Sequence, residues 1–378
     1  MRHRGSVSSR GGGCDAAAVT VGSMSSAPDR GADPTRRRLL AAGAAALLAG
    51  CTVRVASPDA ESGPLEEAGR TRDGGFAAER DGVVIVESDW FDHDRQRPVP
   101  VRLYRPAAVA PAAGMPLVLF SHGLGGSRRG YSYLGSHFAR QGIAALHVQH
   151  VGSDRALWSG NPLHLAARLQ AATRESEAVA RVADLRFALD RILASDGREP
   201  TSLAIDPARI VVAGHSYGAN TALLASGARV VRNDRVVELR DARIASAILL
   251  SAPPFHGERQ LDQILRPVTA PTLHVTATGD DIRIPGYYSS VTDRIAVFEA
   301  SGSVRKALAV FRGGSHGIFT DRPGTGGVEL NPLVKRATQD LSLAFLAMVF
   351  DGRDDALRTW PDRYREILAR FDEQPLRG

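Results

Sequence analysis

Gly214-His215-Ser216-Tyr217-Gly218 follows directly on the apolar run Arg209–Ala213 and leads directly into Ala219–Ala225, whose composition suits a helix. Passing from strand to helix in so few residues demands a very sharp turn. Side chains two positions either side of the serine would clash in it, which accounts for glycine at 214 and 218. Such a turn lifts Oγ of Ser216 above the carboxyl edge of the sheet, where open sheets of parallel strands bind ligands. The pentapeptide alone is a weak pattern. With a strand before it and a helix after it, it marks Ser216 as a candidate nucleophile.

The rest of the chain supplies the sheet that this turn requires. Val83–Glu87 and Val99–Tyr104 read as an opening antiparallel pair. Pro116–Ser121, Ile143–Val148, Ile210–Gly214, Ala245–Leu250, Thr272–Thr276 and Ala307–Phe311 follow as short apolar runs. Runs of that kind, rather than alternating ones, are expected of strands covered on both faces. Between them lie helical patterns. In Ser176–Ser195 the apolar positions Ala178, Val182, Leu185, Leu189 and Ile192 recur at helical spacing and form one buried stripe. Near the end, Asn331 and Pro332 stand where N-cap and N1 residues belong, and Gly352 can terminate the helix. The expected fold is therefore α/β, with a mostly parallel central sheet of about eight strands and helices on both faces. No dinucleotide-binding glycine pattern follows the first strand.

A serine hydroxyl needs a base within hydrogen-bond reach, and in such sheets the partners follow in the order Ser, acid, His at strand ends. Gly313-Gly314-Ser315-His316-Gly317, after Ala307–Phe311, supplies His316 as the general base. Gly279-Asp280-Asp281-Ile282, after Thr272–Thr276, supplies two neighbouring carboxylates. Two backbone N–H groups must also face the developing negative charge. One is expected from Tyr217, the residue after the nucleophile. The other is expected from Leu124 in the glycine-rich loop Ser121-His122-Gly123-Leu124-Gly125-Gly126-Ser127.

These three glycine-rich motifs, at 121–127, 214–218 and 313–317, resemble those of the platelet-activating-factor acetylhydrolase type II family and related predicted dienelactone hydrolases, members of the α/β-hydrolase superfamily. The resemblance spans roughly residues 80–350. It implies an α/β-hydrolase fold and hydrolysis of carboxylic esters, of short to medium acyl chains, without metal or organic cofactor. Two departures matter. Dienelactone hydrolases use a cysteine where this chain has Ser216. In the acetylhydrolases the acid follows the preceding strand, yet here Leu249-Leu250-Ser251-Ala252-Pro253-Pro254 has no carboxylate. The family acid commonly precedes a proline by four positions, as Asp281 precedes Pro285, so the resemblance selects Asp281 and leaves Asp280 as a solvated turn residue. The alternatives are a lipase- or polyesterase-like hydrolase of long or polymeric esters, and a non-catalytic binding protein of the same fold.

Residues 151–175, with Trp158, Leu163, Leu165 and Leu169, sit where an apolar lid over an acyl chain belongs, or form an ordinary surface insertion. Trp158 and Tyr287 are the candidate substrate-binding residues. His122, His147, His150 and His215 form no H-x-x-x-H or H-E-x-x-H pair, so they are read as packing or loop-bonding residues and no metal is expected.

Composition excludes other classes. The formal charge is +6, but residues 1–50 carry seven Arg and three Asp, so +4 of it is local and the remainder is near balance. No basic cluster points to nucleic acid. The two cysteines, Cys14 and Cys51, leave residues 52–378 without a thiol nucleophile or disulfide. Residues 1–50 read as an export address. Thr35-Arg36-Arg37-Arg38-Leu39-Leu40 matches the twin-arginine pattern, and Leu48-Ala49-Gly50-Cys51 matches a bacterial lipobox with Cys51 as the lipidation site. Met24 is an alternative start. Leu39–Gly50 is 12 residues long, short of the roughly 20 that span a bilayer. Polar residues 51–75 read as a tether, and 76–378 as the catalytic domain. The expectation is an exported, membrane-anchored lipoprotein acting on a small-molecule or lipid ester.

Overall fold

The computed structural model describes residues 69–70, 76–108, 114–194, 201–232, 235–255, 260–284 and 287–374, all in a unit spanning Asp59–Gly378. The expected leader, Cys51 and nearly all of the tether lie outside the described residues, as does Pro285. No helix among the described residues is long and apolar enough to cross a membrane.

The strands are β1 (Gly69–Arg70), β2 (Phe76–Arg80), β3 (Val83–Asp92), β4 (Arg97–Pro106), β5 (Met115–Ser121), β6 (Ala144–Val148), β7 (Ile205–His215), β8 (Arg229–Arg232), β9 (Arg235–Glu238), β10 (Ser246–Leu250), β11 (Thr272–Gly279), β12 (Ile282–Ile284), β13 (Tyr287–Ser289), β14 (Lys306–Ser315) and β15 (Leu368–Gln374). The helices are α1 (Ser132–Arg140), α2 (Leu165–Ala172), α3 (Glu175–Leu193), α4 (Tyr217–Ala225), α5 (Leu261–Leu265), α6 (Val291–Ala300), α7 (Leu330–Asp351) and α8 (Asp355–Arg363).

One sheet of eleven strands runs β1-β2-β3-β4-β6-β5-β7-β10-β11-β14-β15, and β8-β9 and β12-β13 are separate two-stranded ribbons. Its centre, β6-β5-β7-β10-β11-β14, is parallel throughout. The flanks at β4 and β15 are antiparallel. The eight strands read from the sequence are all in this sheet. The three beyond them, β1, β2 and β15, are edge additions whose residues have no apolar run. In β15, Leu368-Ala-Arg-Phe-Asp-Glu-Gln374 is drawn into strand by antiparallel pairing with β14.

Period-2 alternation sends neighbouring residues of each central strand to opposite faces. In β7, Ile210 and Val212 pack with the α3 stripe and with Ala219 and Ala222 of α4. Val211 and Ala213 pack on the other side with Leu134 and Phe138 of α1 and with Leu341 and Phe345 of α7. Both faces are thus sealed, as the unbroken apolar runs required. Helix α3 buries Val182, Leu185, Leu189 and Ile192 as its spacing predicts, but the same face also buries Arg181 and Asp184. Helix α7 begins earlier than expected, with Glu329 as N-cap. Asn331 does not cap it, because its Nδ2 instead donates to the Thr325 carbonyl at 2.9 Å. Gly352 ends it in the left-handed region at φ 67°.

Candidate active site

Ser216 sits between β7 and α4 with φ 56° and ψ −120°, a conformation that costs energy for a residue bearing a Cβ and persists only where the surroundings enforce it. The enforcement is visible in the two glycines. A Cβ on Gly214 would stand 2.2 Å from the Gly218 carbonyl oxygen, and one on Gly218 would stand 1.9 Å from the Ser121 carbonyl oxygen. The first glycine allows the turn to close. The second allows the turn to nest against the end of β5, so that the elbow meets the 121–127 loop.

Three strand ends meet at the serine. His316 follows β14, and its Nε2 lies 2.9 Å from Ser216 Oγ. Its Nδ1 lies 2.7 Å from Oδ1 of Asp280, which follows β11. The carboxylate expected at this place was Asp281; the structure corrects this to Asp280. Asp281 points outward and accepts a hydrogen bond from Arg283 at 2.8 Å, while Asp280 is fully buried. The physical reason is the turn that closes β11, where the Asp280 N–H donates to the Ala277 carbonyl and the Asp280 carboxylate falls on the same side as Thr276 and Ser251, whose hydroxyls hold it inward. Gly279 is tight against the Gly314 carbonyl, so the two loops that bear Asp280 and His316 lock together.

Asp280 is held by more than the imidazole. Its Oδ2 accepts from Ser251 Oγ at 2.5 Å and from Thr276 Oγ1 at 2.7 Å. The buried guanidinium of Arg294, on α6, stands 3.6 Å from Oδ1. Burial alone would raise its pKa, but the His316 hydrogen bond, followed by the charges of His316 and Arg294, pulls it well below the usual carboxylate range. The site thus contains a permanently ionised acid against Nδ1, which leaves Nε2 free to accept a proton from Oγ.

The neighbouring histidine braces this arrangement. His215 Nε2–H donates to the His316 carbonyl at 3.0 Å, its ring lies 4.7 Å from that of His316, and its Nδ1 accepts from Tyr131 Oη at 2.9 Å. Tyr131 Oη in turn accepts the Gly123 N–H at 3.4 Å. One buried chain therefore ties the 121–127 loop, the elbow and the His316 loop together. Burial, reinforced by the adjacent His316, lowers His215 to about 3, so it stays neutral.

Of the two expected N–H donors, Tyr217 follows Ser216 directly and Leu124 follows Gly123. Neither the Leu124 nor the Tyr217 N–H has a hydrogen-bond partner among the described residues. Gly123 lies against the serine, since a Cβ on it would be 3.4 Å from Ser216 Cβ. The loop is stiffened from below by His122, whose Nδ1–H donates to the Gly123 carbonyl at 2.7 Å and whose Nε2 accepts the His150 N–H at 3.1 Å.

Residues 151–174 fold as two 3₁₀ turns, Arg155–Trp158 and Pro162–His164, followed by α2. They are fastened to the same loop. Gly125 N–H donates to the Ser153 carbonyl at 2.8 Å, and Trp158 Nε1–H donates to the Gly125 carbonyl at 2.9 Å. Gly125, at φ 70°, leaves the space that the indole fills. Trp158 is half exposed and borders the loop that carries Leu124. The Tyr287 hydroxyl donates to the Pro254 carbonyl at 3.3 Å. His147 and His150 hold backbone and side-chain partners, at the Gly130 carbonyl and at Asp184 respectively. Among the described residues no three His, Cys, Asp or Glu side chains cluster as metal ligands would.

Sequence reasoning named Asp280 but preferred its neighbour Asp281, and it missed Arg294 and the buried Arg181–Asp184 face of α3. The hydroxyls of Ser251, just after β10, and Thr276, within β11, were the one available signal for Asp280.

A strained serine after a parallel strand, with acid and histidine delivered in order from later strand ends, defines an α/β-hydrolase fold. One solved likeness agrees in fold. A ferulic acid esterase from Streptomyces cinnamoneus superposes with a TM-score of 0.54 at 20% identity, covering 76% of this chain and 95% of that one. A cold-adapted esterase from an Arctic intertidal metagenomic library gives 0.45 at 17% identity, over 69% and 96% of the two chains. The family profile of platelet-activating factor acetylhydrolase, isoform II, matches residues 98–160, from β4 to the 3₁₀ turns and so including the 121–127 loop. No curated protein matches the chain.

Proposed function

We propose that the chain is a serine hydrolase of carboxylic esters. The observation that carries this reading is the continuous hydrogen-bonded line from Ser216 Oγ through His316 to Asp280. It ends on an elbow, and the Leu124 and Tyr217 N–H groups are uncommitted among the described residues. The match to an acetylhydrolase family over the 121–127 loop, and an esterase of like fold, support the same reading.

The reaction follows from the geometry. Ser216 Oγ forms a bond to the ester carbonyl carbon as His316 Nε2 takes its proton. Asp280 fixes the imidazole orientation and balances the charge it acquires. The former carbonyl oxygen becomes an oxyanion held by Leu124 and Tyr217 N–H. Collapse breaks the bond to the alcohol oxygen, which leaves with the proton from His316. Water then attacks the acyl-enzyme, His316 takes one of its protons and returns it to Ser216, and the carboxylic acid departs. His316 acts in its neutral form, with Nε2 as the proton acceptor. Trp158, beside the loop that carries Leu124, forms one wall of the acyl site, and short to medium acyl chains are the expected substrates.

Hydrolysis of p-nitrophenyl esters from acetate to laurate by residues 76–378, compared with Ser216→Ala, tests this. A loss of about 10⁴-fold in the variant is expected. An optimum at acetate to octanoate fits the proposed acyl site. Rates that rise through laurate, or only at an interface, favour the lipase- or polyesterase-like alternative. A folded wild type no faster than the variant on every ester overturns the reading. We also propose export and lipidation at Cys51, supported by the twin-arginine and lipobox patterns. Intact mass after expression in a bacterium should show a diacylglyceryl group on a chain starting at Cys51, and an unprocessed, unmodified chain contradicts it.

A further inference from the structure

Behind the 121–127 loop lies a guanidinium that the scheme above leaves unused. Arg181, on α3, is fully buried. Its Nε donates to Thr221 Oγ1 at 2.9 Å, Nη1 to Ser153 Oγ at 2.7 Å, and Nη2 to Ser121 Oγ at 3.0 Å and to the His122 carbonyl. Its plane lies over the Tyr217 ring, with Cζ 4.5 Å from the centroid.

Every one of these partners is neutral. Carboxylates stand one group further back. Ser153 Oγ donates to Glu177 at 2.8 Å. Ser121 Oγ donates to His150 Nε2 at 2.9 Å, and His150 Nδ1–H donates to Asp184 at 3.0 Å. Asp184 is itself engaged by Arg95 and Arg97. A buried cation without a direct counter-ion is costly to keep, and chains retain such groups where a reaction repays the cost. Burial lowers Arg181 only to about 10, so it is charged at every working pH.

Its contacts converge on one place. The His122 carbonyl it grips lies two residues before Leu124, and the ring it covers belongs to Tyr217. These are the two residues whose N–H groups face the ester oxygen. We propose that Arg181 is a positioning residue for the oxyanion hole: it fixes the His122 carbonyl and the peptides that follow, and its uncancelled charge favours the oxyanion over the neutral carbonyl. This inference rests on the serine-hydrolase reading. Preorganised charge in a water-excluded site acts on the transition state rather than on the ground state.

The test measures kcat, KM and affinity for an alkylboronic acid, which becomes a tetrahedral anion on the serine. Wild type, Ser216→Ala, Arg181→Met, Arg181→Lys and Glu177→Gln are compared, with thermal unfolding of each. Arg181→Met should lower kcat about 100-fold, leave KM within about threefold and weaken boronate binding by the same factor as kcat. Arg181→Lys, which keeps the charge, should retain kcat within about tenfold. Glu177→Gln removes the nearest negative charge, so kcat and boronate affinity should hold or rise.

Equal losses in kcat and KM for Arg181→Met, or unchanged boronate affinity, overturn the inference. So does a fall in kcat for Glu177→Gln like that of Arg181→Met, because that is the behaviour of a packing network. If Arg181→Met does not fold, the lysine and Glu177→Gln variants decide alone: retention in both supports the inference and loss in both refutes it. An inactive Ser216→Ala beside a fully active Arg181→Met removes only this inference. A Ser216→Ala as active as wild type removes the hydrolase reading itself.

Discussion

Lowering the pH from 7 to 5 should strip several kcal/mol of stability from this fold. His147, His215 and His274 are buried, and burial pulls each down to about 3, where an exposed imidazole titrates near 6.5. As pH falls through 6.5 the unfolded chain takes up three protons that the native state refuses until about 3. Stability from their neutrality is therefore whole above pH 6.5 and is lost progressively as pH falls toward 3. Between pH 7 and 5 each histidine costs about 2 kcal/mol. That figure barely changes if a native value is 4 rather than 3, since both lie well below 5. The three together cost about 6 kcal/mol, comparable to the whole stability of many domains. His122 and His150 are lowered by burial as well and add to the loss. Asp280, held low, withdraws its contribution only at more acid pH.

The assay is urea unfolding at both pH values, followed by circular dichroism and tryptophan fluorescence. With m of about 3 kcal/mol/M the midpoint should drop by about 2 M. His274 stands away from the triad, with its Nε2 3.2 Å from Thr272 Oγ1, so His274→Gln should remove about a third of the three-histidine pH effect. A midpoint that moves by less than about 0.3 M between pH 7 and 5 refutes the reasoning, because histidines that are buried and neutral cannot be silent.

The two aspartates separate cleanly. Asp280→Asn should cost about 10⁴-fold in kcat, through the wrong imidazole tautomer. Asp281→Asn loses only a surface pair with Arg283 and should stay within about threefold; the reverse order of effects in p-nitrophenyl ester turnover contradicts the assignment. Gly218→Ala places a methyl 1.9 Å from the Ser121 carbonyl oxygen. The elbow must shift off the 121–127 loop, so kcat should fall about 100-fold and Tm should drop; unchanged turnover speaks against the close approach. Trp158→Ala removes a ring that fills the space over Gly125 and its hydrogen bond to that residue. Esters longer than butyrate should lose kcat/KM by about tenfold, with acetate least affected, and a uniform loss across chain lengths denies it a place in the acyl site.

The sequence made the sheet centre and the elbow readable because each rests on a local rule. Unbroken apolar runs mean burial on both faces, and Gly-x-Ser-x-Gly between strand and helix means a turn too tight for a Cβ. What it concealed depends on register and on long-range contacts. Asp280 and Asp281 are adjacent and chemically identical, and only the fold's hydroxyl partners for the first, Ser251 and Thr276, decide which one turns inward. Arg181 and Asp184 sit among the apolar stripe of α3, where a charge reads as solvent-facing. They are buried because the 121–127 loop and the β3–β4 turn, through Arg95 and Arg97, supply partners for them. Strand β15 is polar in sequence and exists by virtue of the β14 edge it covers.

The central claim, that Ser216 is an activated nucleophile, is tested most directly by covalent labelling. The folded protein would be treated with an alkyl fluorophosphonate and digested, and the modified peptide located by mass spectrometry. One adduct per chain on Ser216, slowed at least about 10³-fold in Asp280→Asn, is the predicted result. A folded protein that takes no label, or takes it on another residue, contradicts the account.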